Sequence, residues 1–219
     1  VYQRFRRRLA DETGLDPGAE VTAAYQELLR HDPPRTAPRG PLPRQLPAAV
    51  SHFTGRDPEL TALDRLLTAG RGSSLLVSAV AGAAGVGKTA LAVYWAHRVR
   101  DRFRDGQLYL DLRGYGGSGE PVAAGDALDQ ILRAFGVTDG EHRGVEERSA
   151  LYRSLLAQRS VLVVLDNVRS AAQVRPLLPG PGPSVAVITS RSQLTGLVAR
   201  DGVARVTLDL LSAPDSLTL

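Results

Sequence analysis

Apolar positions recur along this chain in blocks, and their period switches between that of helices and that of strands. Val1, Phe5 and Leu9 repeat at four-residue spacing with charges between, which predicts a helix over 1–13 with Gly14 as its C-cap. Asp16-Pro17 then offers an N-cap and a first-turn proline. Val21, Ala24, Tyr25, Leu28 and Leu29 follow as an i, i+3, i+4, i+7, i+8 stripe. Residues 1–31 thus read as a helical hairpin too short to bury both its apolar faces, expected to be the end of a larger helical domain. Leu60, Leu63, Leu66 and Leu67 mark another helix running to Gly70, with Asp57 as N-cap and Pro58 as the first helical residue. Leu91, Trp95 and Val99 share one face of a helix over 90–100. Ala127, Leu128, Ile131, Leu132 and Phe135 form a stripe ended by Gly136, and Val145, Ser149, Tyr152 and Leu156 suggest a further helix to about 158.

Five segments carry the shorter period or an unbroken apolar run: Ser74–Val80, Gln107–Leu112, Val161–Asn167, Val185–Arg191 and Val203–Leu208. Val161–Leu165 is apolar throughout and mostly β-branched, as in a strand covered on both faces. The expected fold class is α/β, a sheet flanked by helices and preceded by the helical hairpin. Six prolines (Pro33, Pro34, Pro38, Pro41, Pro43 and Pro47) make 32–49 an extended linker and a domain boundary. Ser212-Ala213-Pro214-Asp215 signals the start of a last helix.

Composition narrows the field. With 43% apolar and 23% charged residues, the 219-residue chain reads as a globular protein of one or two domains. No run approaches the roughly 18 apolar residues of a membrane span, and no signal peptide is visible. Cysteine is absent, which excludes a disulfide framework or thiolate metal site and is compatible with the cytoplasm, the expected location. Methionine is absent too, so a fragment of a longer protein is expected. The net charge of +4 is small, and Arg4, Arg6, Arg7 and Arg8 form the one basic cluster, read as a solvated helix face. His31, His52, His97 and His142 are scattered without metal-ligand spacing.

The chemistry concentrates at Gly82-Ala83-Ala84-Gly85-Val86-Gly87-Lys88-Thr89, a Gly, four free residues, then Gly-Lys-Thr, set between a strand and a helix. Glycines let the main chain approach a ligand closely, and a helix N-terminus presents free N–H groups to an anion. Lys88 is the one lysine among 27 basic residues, kept where a compact ammonium would meet outer phosphates. The Thr89 hydroxyl can ligate Mg²⁺. Asp166 ends the most apolar strand, at the edge where open α/β sheets bind ligands and where a Mg²⁺-directing carboxylate is expected. Arg191, beyond the next strand, could reach a γ-phosphate or stand on the surface. Gly114–Gly119 matches the dinucleotide fingerprint literally, but Glu120-Pro121 separates it from the next helix, so it is read as a surface loop.

Taken together these segments resemble a known family. Val1–Asp32, with Arg8-Leu-Ala-Asp-Glu-Thr-Gly-Leu-Asp-Pro-Gly18, is similar to the end of the bacterial transcriptional activation domain in Streptomyces antibiotic regulatory proteins of the AfsR type. The proline-rich stretch (33–50), Phe53-Thr-Gly-Arg56, the glycine-rich loop, Gln107–Gly116, Leu165-Asp-Asn167 and Thr189-Ser-Arg191 resemble the NB-ARC nucleotide domain, expected over 51–210. NB-ARC domains belong to the STAND class of P-loop switch ATPases. The resemblance implies a parallel sheet of order 5-1-4-3-2 and a truncated lid helix from 211. It implies ATP or ADP with Mg²⁺ as ligands. Gly82, Gly85, Val86, Gly87, Lys88, Thr89 and Ala90 would hold the nucleotide, with Thr54, Gly55 and Arg56 on the adenine side. Thr89 and Asp166 would serve the metal, and Arg191 would sense the γ-phosphate.

Partners implied by the resemblance are DNA and RNA polymerase, through a winged-helix part outside this chain, a C-terminal sensor domain, and further copies in an oligomer; no membrane is expected. Asn167 stands where many P-loop ATPases carry a second acid, and an amide cannot take a proton from water. The expectation is therefore a nucleotide-dependent switch in a transcription activator with at most slow hydrolysis. The alternatives are a motor or loader ATPase, or a scaffold with a vestigial site.

Overall fold

The computed structural model describes residue 18 and residues 42–69, 74–79 (backbone), 85–115, 120–138 and 144–211. The chain divides into two compact units, Val1–Arg39 and Gly40–Leu219. The expected hairpin over 1–31, Gly82, the loop tip 116–119 and the expected helix after 211 lie outside the described residues.

The second unit alternates helices and strands: α1 (Asp57–Thr68), β1 (Ser74–Ala79), α2 (Lys88–Val99), β2 (Gly106–Asp111), α3 (Ala124–Ala134), α4 (Val145–Leu156), β3 (Val161–Val168), α5 (Ala171–Val174), β4 (Val185–Ser190), α6 (Thr195–Asp201) and β5 (Ala204–Leu208). All strand pairs are parallel, in the order β2-β3-β4-β1-β5. Parallel neighbours need crossovers, and here the crossovers are helices that cover both faces.

Side-chain alternation sorts the strands into two cores. Val161, Val163 and Leu165 of β3 join Ala186 and Ile188 of β4 against Leu128 and Ile131 of α3 and Tyr152 of α4. Leu162 and Val164 join Val185 and Val187 against Leu63 of α1 and Leu91 and Trp95 of α2. The central strand is thus buried on both faces, as its unbroken apolar run predicts. Trp95, fully buried, donates its indole N–H to Asp64 at 2.9 Å, which ties α2 to α1.

Two local expectations are corrected. Asp57 is the first residue of α1 and not its N-cap; Arg56 caps the helix in the left-handed region with no side-chain cap bond. The guanidinium of Arg56 fixes this turn by donating to the Val86 carbonyl and to Glu59, both at 3.0 Å. The second half of the proline-rich stretch is not free linker. Gln107 N–H donates to the Pro43 carbonyl at 2.7 Å, and Gln45 N–H donates to the Gln107 carbonyl at 2.9 Å. Beside Arg44 this makes a parallel bridge to the open edge of β2. Edge strands expose unpaired N–H and C=O groups, and a proline-flanked segment covers this one without extending the sheet.

At the C-terminal end of β3 the pairing with β4 shifts register between Leu165 and Val168. Asn167 adopts φ 57° there. A bulge of this kind re-aims the side chains that follow it: Asp166 keeps the face of Leu162 and Val164, toward α2, and Val168 joins Leu165 in the opposite core.

Candidate functional site

The glycine-rich turn delivers its last residues to the mouth of α2. Gly85 and Gly87 take φ 79° and 91°, a region that only glycine enters freely. Nothing stands within 4 Å of where a Cβ would be on either, so the space before them is open. Gly87 N-caps α2, so the first N–H groups of the helix and its dipole face the same space.

That space is a cleft of about 360 Å³, walled by Lys88, Thr89 and Ala90 at the start of α2, by Asp166 and Asn167 of β3, and by Thr189, Ser190 and Arg191 at the end of β4. Elements distant in sequence therefore converge on it, at the strand ends where such sheets place ligands. Lys88 is 9% exposed. Burial, and then the charge of Arg191, lower its pKa below the ordinary 10.5, while Asp166 works in the opposite direction. Two cations facing one cleft are relieved by an anion between them.

Asp166, 5% exposed, is gripped by hydroxyls. Thr89 Oγ1 donates to Oδ1 at 2.9 Å and to Oδ2 at 3.0 Å. Tyr109 donates its phenol to Oδ2 at 2.9 Å, and Thr189 donates to Oδ1. The Thr189 oxygen in turn accepts the Asn167 N–H at 2.9 Å. Burial, reinforced by the Asp166 charge, raises the Tyr109 pKa above the usual 10.0, so the phenol keeps the proton it donates. Tyr109 and Thr189 were not singled out by sequence as site residues. Tyr109 reads as one more strand residue, and its partner lies 57 positions away.

Arg191 holds its guanidinium 5.4 Å from the centroid of the Tyr115 ring, a cation–π contact at the cleft rim. Asn167 serves as a bracket for the same loop. Its side-chain amide donates to the Tyr115 carbonyl at 3.1 Å, and its own carbonyl accepts the Gly114 N–H at 2.7 Å. A Cβ on Gly114 would run into the Asn167 carbonyl and the Arg169 nitrogen, so this approach requires glycine.

A second cleft of about 240 Å³ adjoins the first and shares Gly85, Gly87 and Ala90 with it. Val50, His52, Phe53, Thr54, Arg56, Val86 and Leu211 line the rest. Phe53 stacks on Tyr94 with ring centroids 4.2 Å apart. Of the three residues expected here, Thr54 and Arg56 line the cleft; Gly55 does not, and with φ 72° it turns the chain toward Arg56 instead. Arg56 presents little free charge to this cleft, because its guanidinium is held by Val86 and Glu59.

Oxygen donors are what Mg²⁺ prefers, and it commonly keeps waters and shares phosphate ligands instead of sitting in an all-protein cage. Thr89 and Asp166 supply one hydroxyl and one carboxylate side by side. Among the described residues no group of three or more His, Cys, Asp or Glu could hold a metal by itself. The residues therefore fit a metal that arrives with a phosphate ligand, and not an independent metal centre.

A parallel sheet, a glycine turn opening a helix with Lys and Thr, and an aspartate beside that threonine define an α/β domain of the P-loop class. No family model matches the chain. Regulatory protein AfsR of Streptomyces coelicolor is 44% identical over 234 residues, which cover 100% of this chain and 23% of that protein. Regulatory protein AfsR of Streptomyces griseus is 44% identical over 229 residues, again 100% of this chain and 23% of the relative. The chain belongs to the AfsR-type regulatory proteins, and it spans about a quarter (23%) of the length of the curated relatives it matches. Among solved structures, the Aeropyrum pernix ORC2 protein in ADPNP–ADP complexes aligns with a TM-score of 0.49 and 18% identity over 75% of this chain and 50% of that one. Drosophila ORC bound to DNA aligns with a TM-score of 0.41 and 16% identity over 85% of this chain and 55% of that one. Likeness at these levels says nothing of function. No helix among the described residues is long and apolar enough to cross a membrane.

Proposed function

We propose that this chain is the ATP/ADP-binding switch domain of a bacterial transcriptional regulator, of the NB-ARC type within the STAND class. The observation that carries the reading is the convergence of Lys88, Thr89, Asp166 and Arg191 on one cleft at a helix N-terminus. The order of the sheet, β2-β3-β4-β1-β5, supports it. In this reading the main-chain N–H groups from Gly85 to Ala90 and the Lys88 ammonium take the phosphates. Thr89 and Asp166 would hold Mg²⁺, which would supply charge neutralisation for the phosphates. The adjoining cleft, with Phe53, Thr54 and Val86, takes the base, and stacking between Phe53 and Tyr94 gives it a flat aromatic wall.

ATP and ADP differ by one phosphate, so only groups that touch that phosphate can bias two states. Arg191 is the group that changes partner. Its guanidinium rests over Tyr115, and in this reading its forked donors would turn inward to an outer phosphate. The exchange would alter how the 111–115 loop is held and, through it, how the domain meets its neighbours: the activation domain, the lid and the sensor. DNA, RNA polymerase and other copies of the protein would be reached through those neighbours, in the cytoplasm. Asn167, which spends its amide on the Tyr115 carbonyl and cannot accept a proton from water, makes turnover slow. A motor or loader ATPase would need the base that this position lacks.

Calorimetric titration of the chain with Mg-ATP and Mg-ADP tests the proposal. Wild type binds both, and Lys88→Ala loses about 10- to 100-fold of affinity, the range for removing a charged hydrogen-bonding partner. Equal binding by the two proteins ends the reading.

A further inference from the structure

We propose that Tyr109 is a positioning residue for the divalent cation: it holds the Asp166 carboxylate at one oxygen so that its cleft-facing positions are set before the metal arrives. The inference rests on the nucleotide reading above and adds to it a residue that neither the glycine-rich motif nor the aspartate motif contains.

Asp166 lies on β3, with β2 on one side and β4 on the other. Each neighbour sends one hydroxyl to it. Tyr109 of β2 donates to Oδ2 at 2.9 Å, and Thr189 of β4 donates to Oδ1. An ionised carboxylate offers about four lone-pair sites, two on each oxygen. The strand-borne donors take one site on each, and Thr89 spans the remaining two from the side of the cleft. Thr89 is the donor that a cation would displace, because its own oxygen is the one suited to ligate the metal. When its hydroxyl turns away, one acceptor site opens on each carboxylate oxygen, and the other site on each stays filled. The carboxylate then cannot rotate without breaking a bond to β2 or to β4. Outer partners of this kind orient a metal ligand and typically change metal affinity about 10- to 100-fold when removed.

Geometry separates this role from direct contact with the nucleotide. Tyr109 is not among the residues lining the cleft, so it acts through Asp166. Its ring packs with the α1–α2 core, which explains why the phenol arrives at a fixed angle. Phenylalanine would keep that packing and delete only the donor.

Tyr109→Phe is tested by two titrations: Mn²⁺ binding to the ADP-loaded chain by electron paramagnetic resonance, and ADP affinity as a function of Mg²⁺ starting from EDTA. The expected result is an increase of about 10-fold or more in the half-saturating Mn²⁺ and Mg²⁺ concentrations, with ADP affinity in EDTA unchanged. A merely structural role would move the metal-free affinity as well. Replacing Tyr109 by 3-fluorotyrosine, which keeps the hydroxyl, restores the wild-type metal requirement. Thr189→Val, which removes the opposite hydroxyl, raises the requirement too and reads the same clamp if the phenylalanine variant folds poorly. A wild type with a clear Mg²⁺ dependence and a Tyr109→Phe chain with the same half-saturating concentration overturns the inference alone. A wild type that binds no ADP at any metal concentration overturns the nucleotide reading and this inference with it.

Discussion

The two adjoining clefts share Gly85, Gly87 and Ala90, yet they are built by opposite means. The larger is made from strand ends and a helix mouth, and charge organises it: Lys88 and Arg191 face it as cations, and hydroxyls from three separate elements converge on Asp166. The smaller is made from the segment before α1 and the residue Leu211 after β5, and ring stacking and aliphatic side chains organise it. The first is anchored to the sheet at the ends of β3 and β4. The second depends on loops held by side-chain contacts, such as those of Arg56 to the Val86 carbonyl and to Glu59. Under the proposed function the two would do different work: the charged half would discriminate between ligands that differ in phosphate number, and the apolar half would add affinity common to all of them.

Substitutions in each half break that contrast or sharpen it. Phe53→Ala has the largest effect expected after Lys88→Ala. It weakens Mg-ATP and Mg-ADP alike, by about 10-fold on the scale of one to three kcal/mol for a base stacked on an aromatic side chain, and leaves their ratio unchanged. Competition titrations with both nucleotides read this directly; a changed ratio would mean that the apolar half also senses phosphate number. Arg191→Ala does the converse. It lowers ATP affinity relative to ADP by about 10-fold, the loss of a charge-assisted bond made to one ligand only, and barely moves ADP. An unchanged ratio would remove Arg191 from the discriminating role.

The smallest effect is one of pH. Burial, and secondly Arg191, lower the Lys88 pKa in the ligand-free domain. A lysine with a depressed pKa in the folded state has its charged form disfavoured there, so ligand-free stability rises with pH across the window below 10.5. A bound polyphosphate favours the charged form, so affinity falls as pH rises through the same window. Titrations of ADP at alkaline pH should show the decline beginning below 10.5, and later in Arg191→Ala. A decline unaltered by Arg191→Ala would show that the two cations do not share the cleft.

The same division governs what could be read from sequence. The charged half was legible because its chemistry needs rare residues at fixed spacing: the one lysine, its threonine, and an acid ending an apolar run. The elements were legible because Val161–Leu165 can be covered only on both faces, and the α3 stripe only on one. Tyr109 escaped because a tyrosine in a strand announces no partner, and the pairing that brings it to Asp166 is a property of the sheet. Phe53 and Leu211 escaped as site residues because loops carry no period. Asp57 was misplaced for a related reason. A capping signature describes a local competition for N–H groups, and here the longer reach of Arg56 to Val86 decided the turn. The prolines of 42–47 correctly spoke for an extended backbone, but an extended backbone can also lie along the open edge of a sheet.

The most direct test is to denature the purified chain and weigh what it releases. The proposed switch releases ADP or ATP from wild type in near-stoichiometric amount and little or none from Lys88→Ala. A wild-type chain that releases no nucleotide, and takes up none when mixed with millimolar Mg-ADP, would contradict the proposal that this cleft grips a polyphosphate.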